Sequence, residues 1–170
     1  MKTTNVTKKI AYAAILIAVA VAGSVISFPV AGSRCAPVQH IVNILAAVLL
    51  GPGWGLGIAF CASLLRNVMG LGSLLAFPGS MVGAICCGLM YRMCRKIAPT
   101  CATEALGTGI LGGLCAYPVA SVFMGLQPGG FFVYVIPFLI STVAGSILAF
   151  VLLTLLRKNH VLSQIQIHED

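Results

Sequence analysis

Long apolar runs, separated by short breaks rich in Gly, Pro or charged residues, dominate the pattern of this sequence. A helix of roughly 20 apolar residues crosses the ~30 Å hydrocarbon core of a bilayer. We therefore predict an all-α integral membrane protein whose six transmembrane helices form one bundle. The predicted spans are residues 10–28, 37–50, 54–69, 78–93, 103–124 and 131–156. Residues 71–77 are apolar but contain Gly and Ser, which predicts a loop in or on the membrane.

Composition and charge agree with a membrane protein. Of the residues, 59% are hydrophobic and 8% are charged, and the mean hydropathy is +1.07, which excludes a soluble domain. The formal net charge of +7 does not indicate nucleic acid, because the basic residues cluster just beyond the apolar runs on one side, as the positive-inside rule predicts. That side holds Lys2, Lys8, Lys9, Arg92, Arg95, Lys96, Arg157 and Lys158, whereas Arg34 and Arg66 fall on the other. We therefore expect a single transmembrane domain over residues 1–170, with short cytoplasmic tails at 1–9 and 159–170.

The first apolar run has two further features. Its basic start and the Ala-Val-Ala at residues 20–22 also resemble a cleavable signal peptide. An uncleaved span is favoured, because the apolar run continues beyond this point and five more spans follow. On the same run Ala14, Ala18 and Ala22 recur every four residues. Such a stripe of small residues allows another helix to approach closely, either within the bundle or from a partner protein.

Polar residues gather on two of the predicted helices. The second helix carries Gln39, His40 and Asn43, and the third carries Ser63, Arg66 and Asn67. Spacings of three and four residues place each set on one helix face, at similar depth near the outer ends of adjacent antiparallel helices. Because polar residues are costly against lipid, we predict that both faces, with Arg34 in the preceding loop, form a ligand pocket; hydrogen bonds that merely join the helices are the alternative. Walls and further hydrogen bonds are expected from Phe77, Ser80, Tyr117 and Tyr134, although each also fits ordinary packing.

Other kinds of chemistry are missing from the sequence. No Asp or Glu falls inside a predicted span. Thr103 and Glu104 are predicted to start the fifth helix, where a threonine hydroxyl can cap the helix and an acidic side chain favours its N-terminus. A carboxylate relay for protons or sodium is therefore not expected. The Gly-x4-Gly-Lys-Ser/Thr phosphate loop is also absent, so we expect a partner to supply the energy for any transport. The seven cysteines contain no Cys-x-x-Cys pair and fit small buried hydrophobes, so neither a metal nor a cofactor is expected.

Several blocks of sequence resemble the ThiW family. They are Gly-Ser-Arg-Cys-Ala-Pro-Val-Gln-His at residues 32–40 with Asn43, Leu-Leu-Gly-Pro at 49–52, Ser-Leu-Leu-Arg-Asn at 63–67 and Leu-Leu-Ala-Phe-Pro-Gly-Ser-Met at 74–81. The resemblance covers essentially the whole chain and is most specific over residues 32–81. ThiW proteins are substrate-binding S components of energy-coupling factor (ECF) vitamin transporters.

This resemblance implies a six-helix S-component fold in the plasma membrane of a prokaryote. The substrate would be a thiamin precursor, hydroxyethylthiazole, captured from outside, and the family's transport model has the S component topple in the membrane. The partners would be a transmembrane T component and two ABC ATPase subunits, with Ala14, Ala18 and Ala22 meeting the T component. The expected substrate-binding residues are Arg34, Gln39, His40, Asn43, Arg66, Asn67, Phe77, Ser80 and Tyr134. Of these residues, Arg34 and Arg66 are the ones whose role a neutral thiazole explains least readily.

Three alternatives stay open at this point. The chain could serve as an S component for thiamin or another small vitamin. It could be an intramembrane enzyme with Cys35 as nucleophile and His40 as base. It could also be a scaffold that binds no small molecule.

Overall fold

The computed structural model describes residues 2–30 and 33–165, which are almost entirely helical. Helix α1 (Lys2–Gly23) runs through a short 3-10 turn (Ser24–Ile26) into an antiparallel hairpin of β1 (Phe28–Val30) and β2 (Ser33–Cys35). The remaining helices are α2 (Pro37–Leu49), α3 (Pro52–Val68), α4 (Ala76–Cys94), α5 (Ile97–Leu106), α6 (Gly113–Pro118), α7 (Val135–Lys158) and α8 (Val161–Ile165). The π-helical segment Gly107–Gly112 joins α5 to α6, and a second one, Val119–Phe123, continues α6. Together they make one continuous helix, Ile97–Phe123, called the long helix below.

These elements confirm the prediction of an all-α protein of the membrane type. Asn5–Ile26, Ile97–Phe123 and Val135–Lys158 are each long and apolar enough to cross a bilayer, and Pro37–Leu49 is a shorter apolar helix. Each of the six predicted spans corresponds to one helix among the described residues. That the chain crosses the membrane six times and that both of its termini are cytoplasmic stay predictions. Most of the predicted tail 1–9 forms the first part of α1. Gly32 of the family motif and the tail carboxylates Glu169 and Asp170 lie outside the described residues.

The outer surface of the bundle is strongly apolar. Large side chains on α7 point outward, with Ile147 59%, Val151 50% and Leu155 54% exposed, and Val68 at the end of α3 is 78% exposed. Soluble monomers rarely present contiguous apolar surface of this kind. The hydrocarbon core of a bilayer is the environment that suits it.

Local chemistry explains where most helices begin. Pro37 and Pro52 occupy the first position of α2 and α3, where the missing N–H costs nothing and the fixed φ favours the helix. Gly51 adopts φ 88° in the turn between them, a conformation that glycine reaches without strain. At the end of α4, Arg95 has φ 51° and its backbone N–H donates to the carbonyl of Tyr91.

The start of the fifth helix differs from the prediction. The helix begins at Ile97, directly after the turn at Arg95, rather than at residue 103. Pro99 lies in this first turn, a position where proline is tolerated. Thr103 and Glu104 are therefore interior helical residues, and Glu104 lies inside a span instead of capping one.

Two apolar clusters surround the buried polar residues described next. The larger one joins α1, α2, α3 and α7 through side chains that include Leu16, Ile44, Leu50, Ile58 and Leu153. The smaller one consists of Leu75, Ala116, Ala120, Tyr134 and Phe138. The hairpin is anchored on α7, because the backbone N–H of Ala36 donates to Ser141 Oγ at 2.9 Å.

Candidate substrate-binding site

A cavity opens among the helices at the polar faces that the sequence predicts. It encloses about 440 Å³ of empty space, counting the part that is open to solvent. Its lining combines side chains from α2, α3, α4, the long helix and α7. The residues are Arg34, Ala36, Gln39, His40, Arg66, Ser73, Leu75, Ala76, Gly79, Ser80, Thr108, Phe138 and Ser141.

Glu104 stands behind this lining as a fully buried carboxyl group, 0% exposed. Its Oε1 lies 3.0 Å from His40 Nδ1 and accepts hydrogen bonds from Asn43 Nδ2 at 3.1 Å and Thr108 Oγ1 at 3.0 Å. The prediction that no acidic residue lies within a span is therefore wrong, and the inference that a carboxylate relay for protons or sodium is missing loses its premise. Burying a carboxylate requires hydrogen bonds or an opposite charge, and here one oxygen receives three such contacts.

The sequence did contain a signal for this carboxyl group. Thr100, Glu104 and Thr108 are four residues apart and are 0%, 0% and 1% exposed, so they form one buried polar stripe on the long helix. Interpreting Thr103 and Glu104 as a helix start concealed the stripe, because a residue in a cap is expected at the aqueous boundary. The long helix, which starts six residues earlier, carries Glu104 into the bundle.

Glycines allow the neighbouring helices to close around these side chains. A Cβ on Gly83 of α4 would lie 2.6 and 2.8 Å from the two carboxylate oxygens of Glu104 and would also collide with Thr108 Oγ1. A Cβ on Gly145 of α7 would lie 2.7 Å from His40 Cβ. All three distances are shorter than contacts of a Cβ atom permit, so only glycine leaves room for the packing seen here.

His40 is held at both ring nitrogens. With Glu104 ionised, Nδ1–H donates to the carboxylate, and Nε2 faces Ser141 Oγ at 3.1 Å. Ser141 Oγ accepts the N–H of Ala36, which leaves its hydroxyl proton available for Nε2. The carboxylate thus fixes the tautomer and the orientation of an imidazole at the cavity wall.

Arg66 is the second buried charge of the site. Its side chain is 2% exposed, Nη1 donates to Gln39 Oε1 at 3.3 Å, and buried Nε has no hydrogen-bond partner. Among the described residues, the only ion pair within 4 Å is that of His40 with Glu104. Arg34 also lines the cavity, and its Nη1 donates to the carbonyl of Leu71 at 3.2 Å.

A chain of amides links Arg66 to Glu104. Gln39 accepts from Arg66 and donates through Nε2 to Asn43 Oδ1 at 3.1 Å, and Asn43 Nδ2 then donates to Glu104. Every donor in this series points from the cation toward the carboxylate, an arrangement in which successive hydrogen bonds polarise one another. Asn43 also donates to the carbonyl of Ser80 at 3.1 Å, so its amide is fully used inside the protein and does not line the cavity.

The remaining predicted polar residues fall into two groups. Ser80 lines the cavity, and its hydroxyl lies 2.8 Å from that of Ser63, which joins α3 to α4. Asn67 does not reach the cavity: its Nδ2 donates to the carbonyls of Ser63 and Ser73 and thereby holds the loop after α3. Ser73 lines the cavity from that loop.

The aromatic wall comes from a residue that the sequence reasoning missed. Phe77 packs against Phe60 with ring centroids 5.7 Å apart, and Tyr117 packs against Phe131 at 4.8 Å. Tyr134 is buried in the smaller apolar cluster. None of these three lines the cavity, whereas Phe138 does.

Phe138 and Ser141 had a sequence signal of their own. Phe138, Ser141, Thr142 and Gly145 share one face of α7 at spacings of three and four residues. A small and polar stripe in such an apolar helix indicates a buried or functional face. No recognisable motif surrounds this stripe, so the sequence alone does not single it out.

The proposed pairing of Cys35 with His40 is not formed. Cys35 is 1% exposed, and its Sγ donates to the carbonyl of Pro137 at 3.1 Å, while His40 contacts Glu104 and Ser141. Burial also raises the pKa of the Cys35 thiol, which disfavours the nucleophilic thiolate.

The alanine stripe of α1 lies on the outer face of the bundle. Ala14, Ala18 and Ala22 are exposed, whereas Ala13 and Ala20 on the opposite side are buried. Packing within the bundle therefore does not account for the stripe.

No curated protein and no solved structure is significantly similar to this chain. The sequence model of the ThiW family, described as thiamine-precursor transporter protein, matches residues 10–159. That match includes every helix that contributes to the cavity. It agrees with the apolar surface and the buried polar site, which are expected of a membrane transport protein. The chain therefore belongs to the ThiW family of thiamine-precursor transporters.

Proposed function

We propose that this chain is the substrate-specific S component of an ECF-type importer and captures a thiazole precursor of thiamin for uptake. The observation that carries the proposal is the cavity itself, whose wall combines Phe138 with hydroxyls and His40 on helices of a thiamine-precursor transporter family. A cavity that combines an aromatic wall with a few polar groups suits capture of a small ligand.

The chemistry of the wall matches hydroxyethylthiazole. A small heteroaromatic ring gains from stacking on a phenyl ring such as that of Phe138. A hydroxyl group and a ring nitrogen need only one or two hydrogen-bond partners, which Ser141, Thr108 and His40 supply from the wall. Glu104, Asn43 and Gly83 then act as supports that fix these groups in place.

Energy for uptake is assigned to partner chains, a transmembrane T component and two ABC ATPase subunits. This assignment rests on family resemblance. Missing carboxylates no longer support it, because Glu104 lies inside a span. The exposed stripe of Ala14, Ala18 and Ala22 is the proposed contact with the T component. Its small side chains permit the close helix approach that such a contact requires.

Ligand binding is the direct test. We expect the purified full-length chain in detergent to bind hydroxyethylthiazole with micromolar or better affinity in the absence of ATP, measured by isothermal titration calorimetry. Thiamin and the pyrimidine precursor serve as comparisons, and preferred binding of either would reassign the substrate. Absence of heat with all three would contradict the proposal.

A scaffold without a ligand is separated from this function by mass spectrometry. Small molecules released from the gently purified protein are compared with those from a Phe138→Trp variant, whose larger side chain fills the cavity. A thiazole released only from the unmodified protein supports capture. Identical profiles would favour a scaffold.

The docking surface is tested independently of binding. We expect Ala18→Trp to abolish co-purification of the T component while the variant still binds ligand, because the bulky side chain blocks close approach. Val151→Trp, on the exposed face of α7, is the matched control. Unchanged co-purification with Ala18→Trp would place the contact elsewhere.

A further inference from the structure

The positive charge in the lining of the cavity is unbalanced. Arg66 is buried with its Nε unpartnered and with one long hydrogen bond, 3.3 Å, to a neutral amide. Arg34 lines the same cavity and adds electrostatic repulsion. Within residues 2–30 and 33–165 the only carboxylate side chain is that of Glu104, which already receives three contacts from other residues.

Keeping a cation in this position is expensive. Removing a charge from water carries a penalty of several kcal/mol unless an opposite charge and good hydrogen bonds replace the water. Within a span the same reasoning makes an arginine rare and functional. The protein provides Arg66 with a hydrogen bond to Gln39 alone, and the Arg66 side chain belongs to the lining of the cavity.

A guanidinium is suited to one class of partner above all. Its fork of N–H donors matches the oxygens of a carboxylate or a phosphate and binds them through paired, charge-assisted hydrogen bonds. Two arginines on one cavity wall supply both the charge and the donors for such a group. A neutral alcohol can accept one of these hydrogen bonds, but it does not balance the positive charge.

We propose that Arg34 and Arg66 form an anion subsite, so that the preferred ligand is a thiazole carrying an anionic oxygen group, a phosphate ester or a ring carboxylate. This inference rests on the proposed function. The thiazole ring lies against Phe138 and the hydroxyl-lined wall, and the anionic group lies between the two guanidinium groups. The amide chain from Arg66 through Gln39 and Asn43 then connects the bound anion to the Glu104–His40 pair.

The test compares neutral and anionic ligands on the full-length chain. Isothermal titration uses hydroxyethylthiazole, its phosphate ester and the corresponding thiazole carboxylate at equal ionic strength. We expect at least one anionic ligand to bind tenfold or more tightly than the neutral alcohol. The two anionic arms show which oxygen group the subsite takes.

Variants separate a ligand contact from a structural role. Arg66→Gln and Arg34→Gln should weaken binding of the anionic ligand at least tenfold more than binding of the neutral one. Arg66→Lys should retain part of the preference for the anionic ligand, because it keeps the positive charge. Arg157→Gln, exposed at the end of α7, is the matched control for lost positive charge and should not change the ratio. If Arg66→Gln does not fold, Arg34→Gln and Arg66→Lys carry the test.

Failure of this inference is distinct from failure of the function. Equal or tighter binding of neutral hydroxyethylthiazole would overturn the anion subsite and leave thiazole capture intact. Equal weakening of both ligands by the arginine variants would also overturn it and assign the arginines to folding. Absence of binding by any thiazole would overturn the proposed function itself.

Discussion

Two buried charges in this molecule, Glu104 and Arg66, have very different surroundings. Glu104 is 0% exposed, and its Oε1 lies within 3.1 Å of His40, Asn43 and Thr108. Arg66 is 2% exposed, yet it makes a single 3.3 Å hydrogen bond to an amide and leaves Nε without a partner.

The two charges differ in how many partners the chain gives them. Oε1 of Glu104 has three partners, although its buried Oε2 has none, whereas Arg66 has one long hydrogen bond. Glu104 draws three helices together, since its partners come from α2 and the long helix while Gly83 of α4 makes room for it. Removing it should damage the fold. Arg66 offers donors toward a cavity, so removing it should damage binding more than folding. The predictions below test this contrast in order of expected effect.

Glu104→Ala should produce the largest loss of stability. It leaves His40, Asn43 and Thr108 without their shared acceptor, and breaking a buried pair in this way costs about 3–5 kcal/mol. Thermal unfolding in detergent should show a clearly lowered midpoint. Glu104→Gln, which keeps an acceptor oxygen, should lose less, and equal losses for the two variants would argue against hydrogen bonding as the cause.

Gly83→Ala should come next. The added Cβ would lie 2.6 Å from a carboxylate oxygen of Glu104, and overpacking of this kind costs about 1–3 kcal/mol. Gly57→Ala on α3 is the control, because nothing lies within 4 Å of its Cβ position. A stability for Gly83→Ala that matches that of Gly57→Ala would show that α4 can move away from the carboxylate.

Arg66→Met should leave the ligand-free protein as stable as before, or more stable by up to about 1 kcal/mol. The variant loses one long hydrogen bond but also removes an unpaired buried charge, and replacing buried charges by apolar groups is often neutral or stabilising. The measurement is again the unfolding midpoint, with Arg157→Met as the control for an exposed arginine. A loss as large as that of Glu104→Ala would erase the contrast between the two charges.

The smallest effect should distinguish two phenylalanines. Phe138→Leu removes the aromatic wall and should weaken thiazole binding by roughly three- to tenfold, the equivalent of about 0.5–1.5 kcal/mol. Phe77→Leu should leave binding unchanged, since Phe77 packs on Phe60 away from the cavity. Calorimetric titration of both variants measures this, and the reverse order would place the aromatic wall at Phe77.

Sequence reasoning located part of the candidate site because two of its elements are local. Gln39 and His40 share a face of α2, and Arg66 occupies the matching face of α3, so helical spacing was sufficient to select them. Asn43 and Asn67 followed the same spacing but support the site from behind, with their amides bonded within the protein. Spacing shows which residues share a face and cannot show which of them reaches the open space.

Other parts of the site depended on one helix boundary and one distant helix. Glu104 was misplaced because Thr103–Glu104 has the local chemistry of a helix start, and the turn at Arg95 with φ 51° began the helix earlier. Phe138 and Ser141 come from α7, roughly 100 residues after Arg34 along the chain. No local pattern brings such distant residues together.

The sequence by itself determined the membrane class, the approximate extent of most of the long helices, and the family. Apolar length, charge placement and motif blocks are local properties that need no contacts to be read. Only the tertiary structure decided that Glu104 is the buried anchor of His40, that Phe138 replaces Phe77 and Tyr134 as the aromatic wall, and that Arg66 has no anionic partner among the described residues. Each of these depends on which helices pack together and how closely, and small glycine contacts such as that of Gly83 set that distance.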